Sequence, residues 1–200
     1  MKSILVILFF IIIRLRSFGQ ESYILTNNGT KIIIQESSVR LISFDRKILY
    51  KNFNKGTDQS ISFDDFDCIY YNNFKFKSIG LNKRKEKDGY FILAESAEKF
   101  LLLKMIILKP QEEDEEASKP SYQLLIVDNQ FNTLSAFAIN DLNNSINIDS
   151  RNKILPNVKA FFPNCDDLLN RLSDYDKKNG DLKNQSILGV FNSPVYIECK

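Results

Sequence analysis

The sequence predicts an α+β protein with a mainly antiparallel β-sheet, curled into a sandwich or half-barrel, followed by a short helical tail. Short apolar runs separated by turn-forming residues fill residues 20–140, a pattern that is typical of strands. After residue 140, apolar residues recur at helical spacing instead. Of the 200 residues, 44% are hydrophobic, which is enough to build a core.

The first nineteen residues have the layout of a secretory signal peptide. Lys2 gives a positive start, residues 4–13 are an unbroken apolar run, and small residues precede a possible cleavage after Gly19. A ten-residue helix rises only about 15 Å, half of the roughly 30 Å hydrocarbon core of a bilayer. Arg14 and Arg16 oppose translocation of this flank, so an uncleaved anchor stays as the alternative.

These observations divide the chain into a signal peptide (1–19), an antiparallel β domain (20–140) and a small helical tail packed on the sheet (141–200). Cleavage near Gly19 would place the mature chain in the periplasm, in the outer envelope or outside the cell. The whole chain has 27 basic and 25 acidic residues, of which Lys2, Arg14 and Arg16 lie in the leader. Without these three, 24 basic residues face 25 acidic ones, which argues against nucleic-acid binding.

The chain contains neither histidine nor tryptophan. The lack of histidine excludes Ser-His-Asp and Cys-His nucleophiles, histidine-ligated zinc, and the usual general base near neutral pH. Three cysteines cannot form a four-thiolate zinc site. The seven glycines fall in no phosphate-binding or dinucleotide-binding arrangement. We therefore assign no catalytic, cofactor-binding or metal-binding residue, and we expect no cofactor.

The predicted strands begin with two hairpins. The first reverses at residues 27–29 (NNG), where Asn and Gly tolerate positive φ angles, and the second reverses near Asp45 and Arg46. Residues 74–77 (FKFK) alternate Phe and Lys, the period of a half-buried strand. Further strands are predicted in GYFILAE, KFLLLKMIILK, SYQLLIVD and TLSAFAI. Residues 101–108 are apolar at nearly every position and fit a central strand or a helix; we predict a strand.

In the tail, Asn164 is the predicted cap of a helix, because Asp166 and Asp167 then occupy its first turn. The apolar stripe of this helix consists of Leu168, Leu169 and Leu172. Residues 179–180 (NG) would end it. A second short helix is predicted from near residue 181 or 184, with an apolar face of Ile187, Leu188 and Phe191.

Two of the three cysteines flank this tail. Cys165 and Cys199 have 33 residues between them, and in an exported chain such a pair favours a disulfide. That disulfide would stabilise the fold by roughly 4 kcal/mol in the chain-entropy estimate. The alternative is two unpaired thiols. Cys68 lies in a strand context, and we expect it to be a buried small hydrophobe because no histidine is present to depress its pKa.

Four other segments carry a functional and a structural interpretation. Residues 112–116 (EEDEE) suit a calcium site or a cationic partner, but adjacent like charges favour a solvated loop. The basic residues 82–89 are interpreted as a strand connection. Residues 64–67 (DDFD) offer carboxylates for glycoside chemistry or metal binding, but they fit a turn before a strand better. Aromatic residues 63–76 suit stacking on sugars or bases, yet the chain is 12% aromatic and a sheet interior is favoured.

The order of a leader, the SYILTNNGTKIIIQ hairpin, SFDDFDCIYY and a tail AFFPNCDDLLNRL…SILGVFN…C resembles an uncharacterised group of secreted, β-rich proteins from Bacteroidetes-type bacteria. In that group a GYI-x-x-x-G-D-T hairpin opens the mature chain, and the tail runs from an aromatic and a Cys through a short amphipathic helix to a final Cys. Here NNGT replaces the turn acid, and FNSPVYIEC is longer than the usual spacing. The resemblance implies an exported protein with no assigned activity.

The sequence thus predicts an exported, non-enzymatic protein of unknown role that binds a protein or an envelope component through its sheet surface or an edge strand. One alternative is a histidine-free, carboxylate-dependent hydrolase acting on a glycan, which two convergent carboxylates in a cleft would favour. The other is a domain tethered to the membrane by an uncleaved leader. A contiguous exposed apolar patch or a long open edge strand would favour the binding protein.

Overall fold

The computed structural model describes residues 21–54, 56–106, 121–139, 148–177 and 196–200. These residues contain twelve strands and two α-helices. The strands are β1 Tyr23–Thr26, β2 Lys31–Ile33, β3 Arg40–Ile42, β4 Lys47–Lys51, β5 Asp58–Ser62, β6 Phe66–Tyr71, β7 Phe74–Ile79, β8 Asp88–Glu95, β9 Lys99–Ile106, β10 Ser121–Asp128, β11 Thr133–Ile139 and β12 Ile197–Glu198. The helices are α1 Ile148–Phe161 and α2 Asp166–Lys177.

The strands form two sheets. The main sheet has nine strands in the order β11-β10-β9-β8-β7-β6-β1-β2, with β12 added beside β8, and it is not closed. The small sheet has three strands in the order β3-β4-β5. Among the described strands, only the pairing of β12 with β8 is parallel. The predicted class is therefore confirmed: a mainly antiparallel sheet with helices near the end of the chain.

Residues with left-handed backbone conformations make the tight connections. Gly29 has a φ of 82° in the turn between β1 and β2, as the NNG signal predicts, and Arg46 has a φ of 50° between β3 and β4. Asn72 and Asn73 both have positive φ, 48° and 63°, in the two-residue turn between β6 and β7. Asparagine suits these positions because its short polar side chain lowers the penalty for this conformation. The two predicted hairpin reversals are thus confirmed.

One face of the main sheet is covered by two different layers. Over β1, β6 and β7 the small sheet packs and closes a core made of Ile24, Ile34, Ile48, Tyr50, Phe63, Phe66, Ile69 and Phe76. Over β8, β9 and β10 the two helices close a second core, which includes Leu93, Leu101, Leu103, Leu124, Ile126, Ile154, Leu155, Val158, Phe162 and Leu168. Burial of each such side chain contributes about 1.5–3 kcal/mol, so both layers are held by apolar contact.

Gly89 in β8 allows the first core to pack tightly. A Cβ atom at this position would lie 2.2 Å from Cζ of Phe76 and 2.7 Å from Cζ of Phe63, which is too close for any real contact. The missing side chain therefore makes room for two buried aromatic rings against the β8 backbone. Ser78, on the neighbouring strand, donates a hydrogen bond to the Phe63 carbonyl at the same place.

The helices agree only partly with the sequence pattern. Asp166 and Asp167 lie in the first turn of α2 and Leu168 is buried, as predicted, but the residue directly before the helix is Cys165 rather than Asn164. Helix α1 lies within the predicted helical tail, where no separate helix was assigned to these residues, and it contains Pro156, a residue that normally ends or kinks a helix. Its buried apolar side chains compensate by packing on the sheet. The predicted helix end at residues 179–180 and the second short helix lie outside the described residues.

The run at residues 101–108 forms a strand as far as Ile106, where the described part of this segment ends. It pairs with β8 on one side and β10 on the other, so it is central in the sheet. Leu101 and Leu102 are fully buried on opposite faces, which explains why the run shows no polar alternation. In the described part of the chain, no helix has the length and apolar character needed to cross a membrane.

Candidate functional site

Strand β11 lies at the outer end of the main sheet, and it is an open edge as far as the described residues show. It pairs with β10 through six of the seven residues of Thr133–Ile139, and no other described strand pairs with it. Its sequence, TLSAFAI, contains no charged residue and no proline. An edge strand presents unpaired N–H and C=O groups, which can hydrogen-bond to another strand. Natural proteins usually protect such edges with charge, proline, a β-bulge or a covering segment. Strand β11 has no charge and no proline, and its one bulge is at Leu134.

The side chains of β11 alternate in exposure. Thr133, Ser135 and Phe137 are half-buried, whereas Ala136 and Ala138 are exposed and Leu134 is 43% exposed. Phe137 packs at the rim of the core beneath the helices. A register shift between Ile126 and Val127 of β10 leaves Leu134 without an opposite residue. Within the described part of the chain, the edge therefore combines unpaired backbone groups with exposed apolar side chains.

The start of β11 is fixed by the connection that follows β7. The side chain of Asn82 accepts a hydrogen bond from the Thr133 backbone N–H at 2.8 Å and donates one to the Thr133 hydroxyl at 3.2 Å. The Asn82 backbone N–H donates to the carbonyl of Phe131 at 3.0 Å. Asn82 has a φ of 53°, a conformation that asparagine tolerates better than most residues. The first residue of the open edge is thus held in position.

Strand β2, at the opposite edge of the main sheet, is protected. It has only three residues, and Lys31 at its start forms an ion pair with Glu21 at 2.6 Å. Directly after it, Ile34 bridges to Asn52, and the Phe53 N–H donates to the Ile33 carbonyl at 3.1 Å. The end of β4 therefore covers the β2 edge where the strand ends, and the charged side chain of Lys31 protects the start of the strand.

A third free edge, at the end of β8, is filled by the last residues of the chain. Strand β7 pairs with β8 as far as Ile92, so Ala94 and Glu95 have no β7 partner. Strand β12 lies parallel to them, and the Cys199 N–H donates to the Glu95 carbonyl at 2.7 Å. Ile197 is buried in the core beneath the helices. A two-residue strand contributes little pairing by itself, so other contacts must hold it.

The Cys165–Cys199 disulfide holds β12 in that place. Its S–S distance is 2.04 Å and its Cα–Cα distance is 4.9 Å, so it joins the segment before α2 to the segment after β12. A polar recess of about 220 Å³ lies beside it, lined by Asn164, Asp166, Asp167, Glu198 and Lys200. In the described residues no group of three or more metal-ligating side chains comes together. The disulfide's evident role is to cross-link the helical layer to the sheet.

Lys75 provides the second anchor for β12. It is buried, and its ammonium group forms an ion pair with Glu95 and a hydrogen bond of 3.4 Å with the Tyr196 hydroxyl. Its Nζ also lies 4.8 Å from the centre of the Tyr196 ring and 5.5 Å from that of Tyr70. The Tyr196 hydroxyl donates to Glu95 at 3.2 Å. We call Lys75, Glu95 and Tyr196 the lysine cluster.

A bulge in β8 brings Glu95 to the lysine cluster. The pairing of β8 with β9 shifts register between Ile92 and Ala94, so Leu93 is an extra residue. Ile92 lies on the Lys75 face, and without the bulge Glu95 would point to the opposite face. The extra residue reverses the alternation, and Glu95 reaches the buried ammonium group. Burying this charge therefore depends on one irregularity in the sheet.

The surroundings keep the Lys75 ammonium group and the Tyr196 hydroxyl protonated. Burial alone would lower the pKa of Lys75, but hydrogen bonds with Glu95 and Tyr70 outweigh burial and raise that pKa above its ordinary value. Burial raises the pKa of Tyr196 to about 12. A lysine that stays protonated is neither a nucleophile nor a base. A recess of about 20 Å³ beside Tyr70 and Tyr196 has room for about one water molecule. The lysine cluster is therefore a structural cross-link between β7, β8 and the residue that precedes β12.

The other residues singled out from the sequence do not form one site. Asp64 forms an ion pair with Arg46 at 3.1 Å, and Asp67 forms a separate one with Lys77 at 3.2 Å. Asp64 and Asp67 therefore pair with two different basic residues and do not converge in one cleft. The acidic run at residues 112–116 lies outside the described residues.

Aromatic residues of the segment 63–76 form part of a hydrophobic core, as the composition suggests. Phe63, Phe66 and Phe76 are buried, with ring centres 5.8–6.3 Å apart, in the core beneath the small sheet. Cys68 is also buried, and burial raises the pKa of its thiol to about 11, which agrees with an inert small hydrophobe.

Sequence reasoning missed the lysine cluster and the difference between the sheet edges. The FKFK alternation predicts a solvated lysine face, and for Lys75 this is wrong, because Tyr70, Glu95 and Tyr196 cover it. No local signal indicates a partner 121 residues away in sequence. The absence of charge in TLSAFAI was readable, but only the strand order shows that this segment lies at an edge.

Comparison with known proteins assigns no relative. No protein-family model matches the chain, and neither a curated protein nor a solved structure matches it. The resemblance to secreted β-rich proteins of Bacteroidetes-type bacteria therefore stays a prediction.

Proposed function

We propose that this chain is an exported binding protein that takes an extended segment of a partner protein as an additional strand on β11. The observation that carries the proposal is the open, uncharged edge of seven residues, Thr133–Ile139. Backbone hydrogen bonds to such an edge supply affinity, and the side chains on either face of the added strand supply specificity. The exposed Leu134 and Ala136 favour an apolar segment.

The contrast between the edges supports this role. The β2 edge is short, charged and covered by β4, and the free end of β8 is filled by β12. Of these three edges, β11 is the one that no described segment covers, and such an edge is a template for pairing with another strand. Export is part of the proposal, and the Cys165–Cys199 disulfide supports it because such bonds persist in oxidising compartments.

Site-specific photo-crosslinking in the envelope fraction of the producing cells tests the proposal. A photo-reactive residue is placed at Leu134 on β11 or, as the matched control, at Lys31 on the protected β2 edge. We expect a discrete protein adduct from Leu134 and none from Lys31. The captured protein is then identified, purified and titrated with the wild-type chain.

Two substitutions at one position separate strand addition from contact elsewhere. Ala136→Lys places a charge in the middle of β11 and should weaken binding of the purified partner at least about tenfold, because a charged edge resists pairing. Ala136→Ser keeps the size and neutrality of the site and should bind normally. Equal adducts from Leu134 and Lys31, or binding that Ala136→Lys leaves unchanged, would contradict the proposal.

A further inference from the structure

The connection between β7 and β8 lies beside the start of the β11 edge. The side chain of Asn82, in this connection, forms two hydrogen bonds with Thr133, the first residue of β11. The next three residues are exposed and basic: Lys83, Arg84 and Lys85. We call these three residues the basic loop. Because consecutive Cα atoms are about 3.8 Å apart, the Cα atoms of Asn82 and Lys85 lie no more than about 11 Å apart. A strand that adds to the start of β11 therefore passes close to the basic loop.

The backbone of the basic loop is fixed at both ends. At its start, Gly80 lies so close that a Cβ atom there would be 2.3 Å from the Arg84 carbonyl oxygen. At its end, the Arg46 guanidinium donates to the Lys87 carbonyl at 2.6 Å and pairs with Glu86 at 2.9 Å. The hydrogen bonds of the preceding residue to β11 hold the loop from a third direction. The three basic side chains thus extend from an ordered backbone, which lowers the entropic cost of binding.

The charge of the basic loop is not neutralised by the residues around it. None of its three side chains forms an ion pair with a described residue, whereas Lys77 and Lys104, on strands of the same sheet, each pair with a carboxylate. Glu86 is paired with Arg46, and the carboxylate of Asp128, in the turn before β11, accepts three hydrogen bonds within that turn. The surface beside the start of β11 is therefore complementary to an anionic partner.

We infer that the partner segment which adds to β11 carries acidic residues at the end that lies beside Thr133, where they contact the basic loop. This inference rests on the proposed function, since it names the chemistry of the segment that occupies the same edge. A polypeptide fits both features, because a strand pairs with the edge while acidic side chains at its end reach the loop. Charges at the rim of an interface mainly accelerate association, whereas backbone pairing slows dissociation. The loop and the edge thus make separable contributions to one binding site.

Photo-crosslinking with peptide mapping tests the position of the acidic end. A photo-reactive residue is placed at Leu134, at Lys85 or, as the matched control, at Arg40, an exposed basic residue of the small sheet. Each variant is irradiated in the envelope fraction of the producing cells, and the coupled peptide is sequenced by mass spectrometry. We expect Leu134 and Lys85 to couple to neighbouring stretches of the same partner protein, and the stretch coupled at Lys85 to be acidic. Arg40 should couple to neither stretch.

Binding kinetics with the purified partner measure what the basic loop contributes. In the variant Lys83→Gln/Arg84→Gln/Lys85→Gln, the association rate constant at low salt should fall at least about tenfold, with little change in the dissociation rate constant. The salt dependence of association should also become weaker, because the loop no longer attracts the acidic end. Lys83→Arg/Lys85→Arg keeps the charge and should bind as the wild type does, and so should Arg40→Gln. Thermal unfolding of each variant shows that it is folded.

The inference and the proposed function fail in different ways. If Leu134 captures a partner that associates equally fast with the neutral loop, or if the stretch coupled at Lys85 is not acidic, the inference is wrong and strand addition stands. Coupling of Lys85 only to the acidic residues 112–116 of its own chain would also overturn the inference. If Leu134 captures no partner, strand addition is wrong, and the inference that rests on it is wrong too, whatever Lys85 captures.

Discussion

The two outer edges of the main sheet differ in how well they are protected against pairing with another strand. At β2 the edge is three residues long, carries Lys31 paired with Glu21, and passes directly into contacts with the end of β4. At β11 the edge is seven residues long, uncharged, and without a second described strand beside it. An open apolar edge invites aggregation unless something binds it. This difference between the edges is the basis of the proposed strand addition at β11.

The free end of β8 gives a third case, in which an edge is closed by the chain itself. Only two residues of β12 pair there, yet three separate interactions hold them: the disulfide, the lysine cluster and the burial of Ile197. Breaking these contacts would create a second open edge. The predictions below therefore begin with them and end with the protected β2 edge.

The largest effect is expected from removing the disulfide. The Cys165→Ser/Cys199→Ser variant should lose about 4 kcal/mol of its free energy of unfolding in urea, because a cross-link over a sequence separation of 34 residues restrains the unfolded chain. Reducing the wild type under the same conditions is the matched control and should give the same loss. A loss below about 1 kcal/mol would mean that β12 does not depend on the cross-link.

Removing the buried ammonium group is the next largest change. Lys75→Met should destabilise the fold by about 3 kcal/mol, because it leaves the Glu95 carboxylate in a partly buried position without its partner. Adding Glu95→Gln removes that stranded charge and should recover at least half of the loss, which a double-mutant cycle in urea measures.

The neighbouring lysine on the same strand is the control for this test. Lys77 pairs with Asp67 at a more exposed position, so Lys77→Met should cost less than about 1 kcal/mol. Equal losses for Lys75→Met and Lys77→Met would show that the lysine cluster does not anchor β12.

Alkaline pH should lower the free energy of unfolding through three buried groups, Cys68, Tyr196 and Lys75. Burial raises the pKa of Cys68 to about 11 and that of Tyr196 to about 12. The pKa of Lys75 is also above its ordinary value. When the pKa of a group is higher in the folded state than in the unfolded state, its contribution to stability is fully present below the unfolded-state pKa. That contribution is lost as the pH rises towards the folded-state pKa. Above about pH 9 the free energy of unfolding should fall by on the order of 1 kcal/mol per pH unit for each group that titrates only when unfolded.

Urea unfolding between pH 7 and pH 11 measures this decline. The Cys68→Ala variant removes the earliest of the three contributions, so its decline should begin about one pH unit later than that of the wild type. Identical pH profiles for the two proteins would show that burial of the Cys68 thiol has no energetic consequence.

The smallest effect is expected at the protected edge. Lys31→Ala removes an exposed ion pair with Glu21 and should change the free energy of unfolding by less than about 1 kcal/mol. It should not change the mass in solution, because the end of β4 still covers the edge next to β2. A new oligomer formed by Lys31→Ala would show that charge alone protects β2.

Local signals in the sequence predict much of this fold. The NNG turn, the Asp45–Arg46 reversal and the apolar run of β9 depend on the conformational preferences of a few adjacent residues, and each is found where the pattern places it. Acidic residues likewise mark the first turn of α2. Helix α1 lies in the predicted helical tail, but its bounds do not follow from local preferences, because Pro156 normally ends or kinks a helix and packing on the sheet compensates for it here.

The candidate site depends on long-range pairing that local patterns do not encode. Whether β11 is central or at an edge follows from the strand order, and one extra residue at Leu93 decides which face Glu95 occupies. Lys75 looks like a solvated lysine until Tyr196 is brought beside it by β12. Sequence periodicity describes each strand separately, so it cannot distinguish a protected edge from an open one.

Hydrogen exchange of the β11 backbone, measured without and with the captured partner protein, tests the central claim most directly. If the edge is open until a partner strand adds to it, alternate N–H groups of Thr133–Ile139 should exchange fast in the free protein, and they should stay fast in the Ala136→Lys variant when the partner is present. They should become protected when the partner is added to the wild type, while β2 stays unchanged. Protection of all β11 N–H groups in the free wild type would contradict the claim, because the chain would then cover this edge itself.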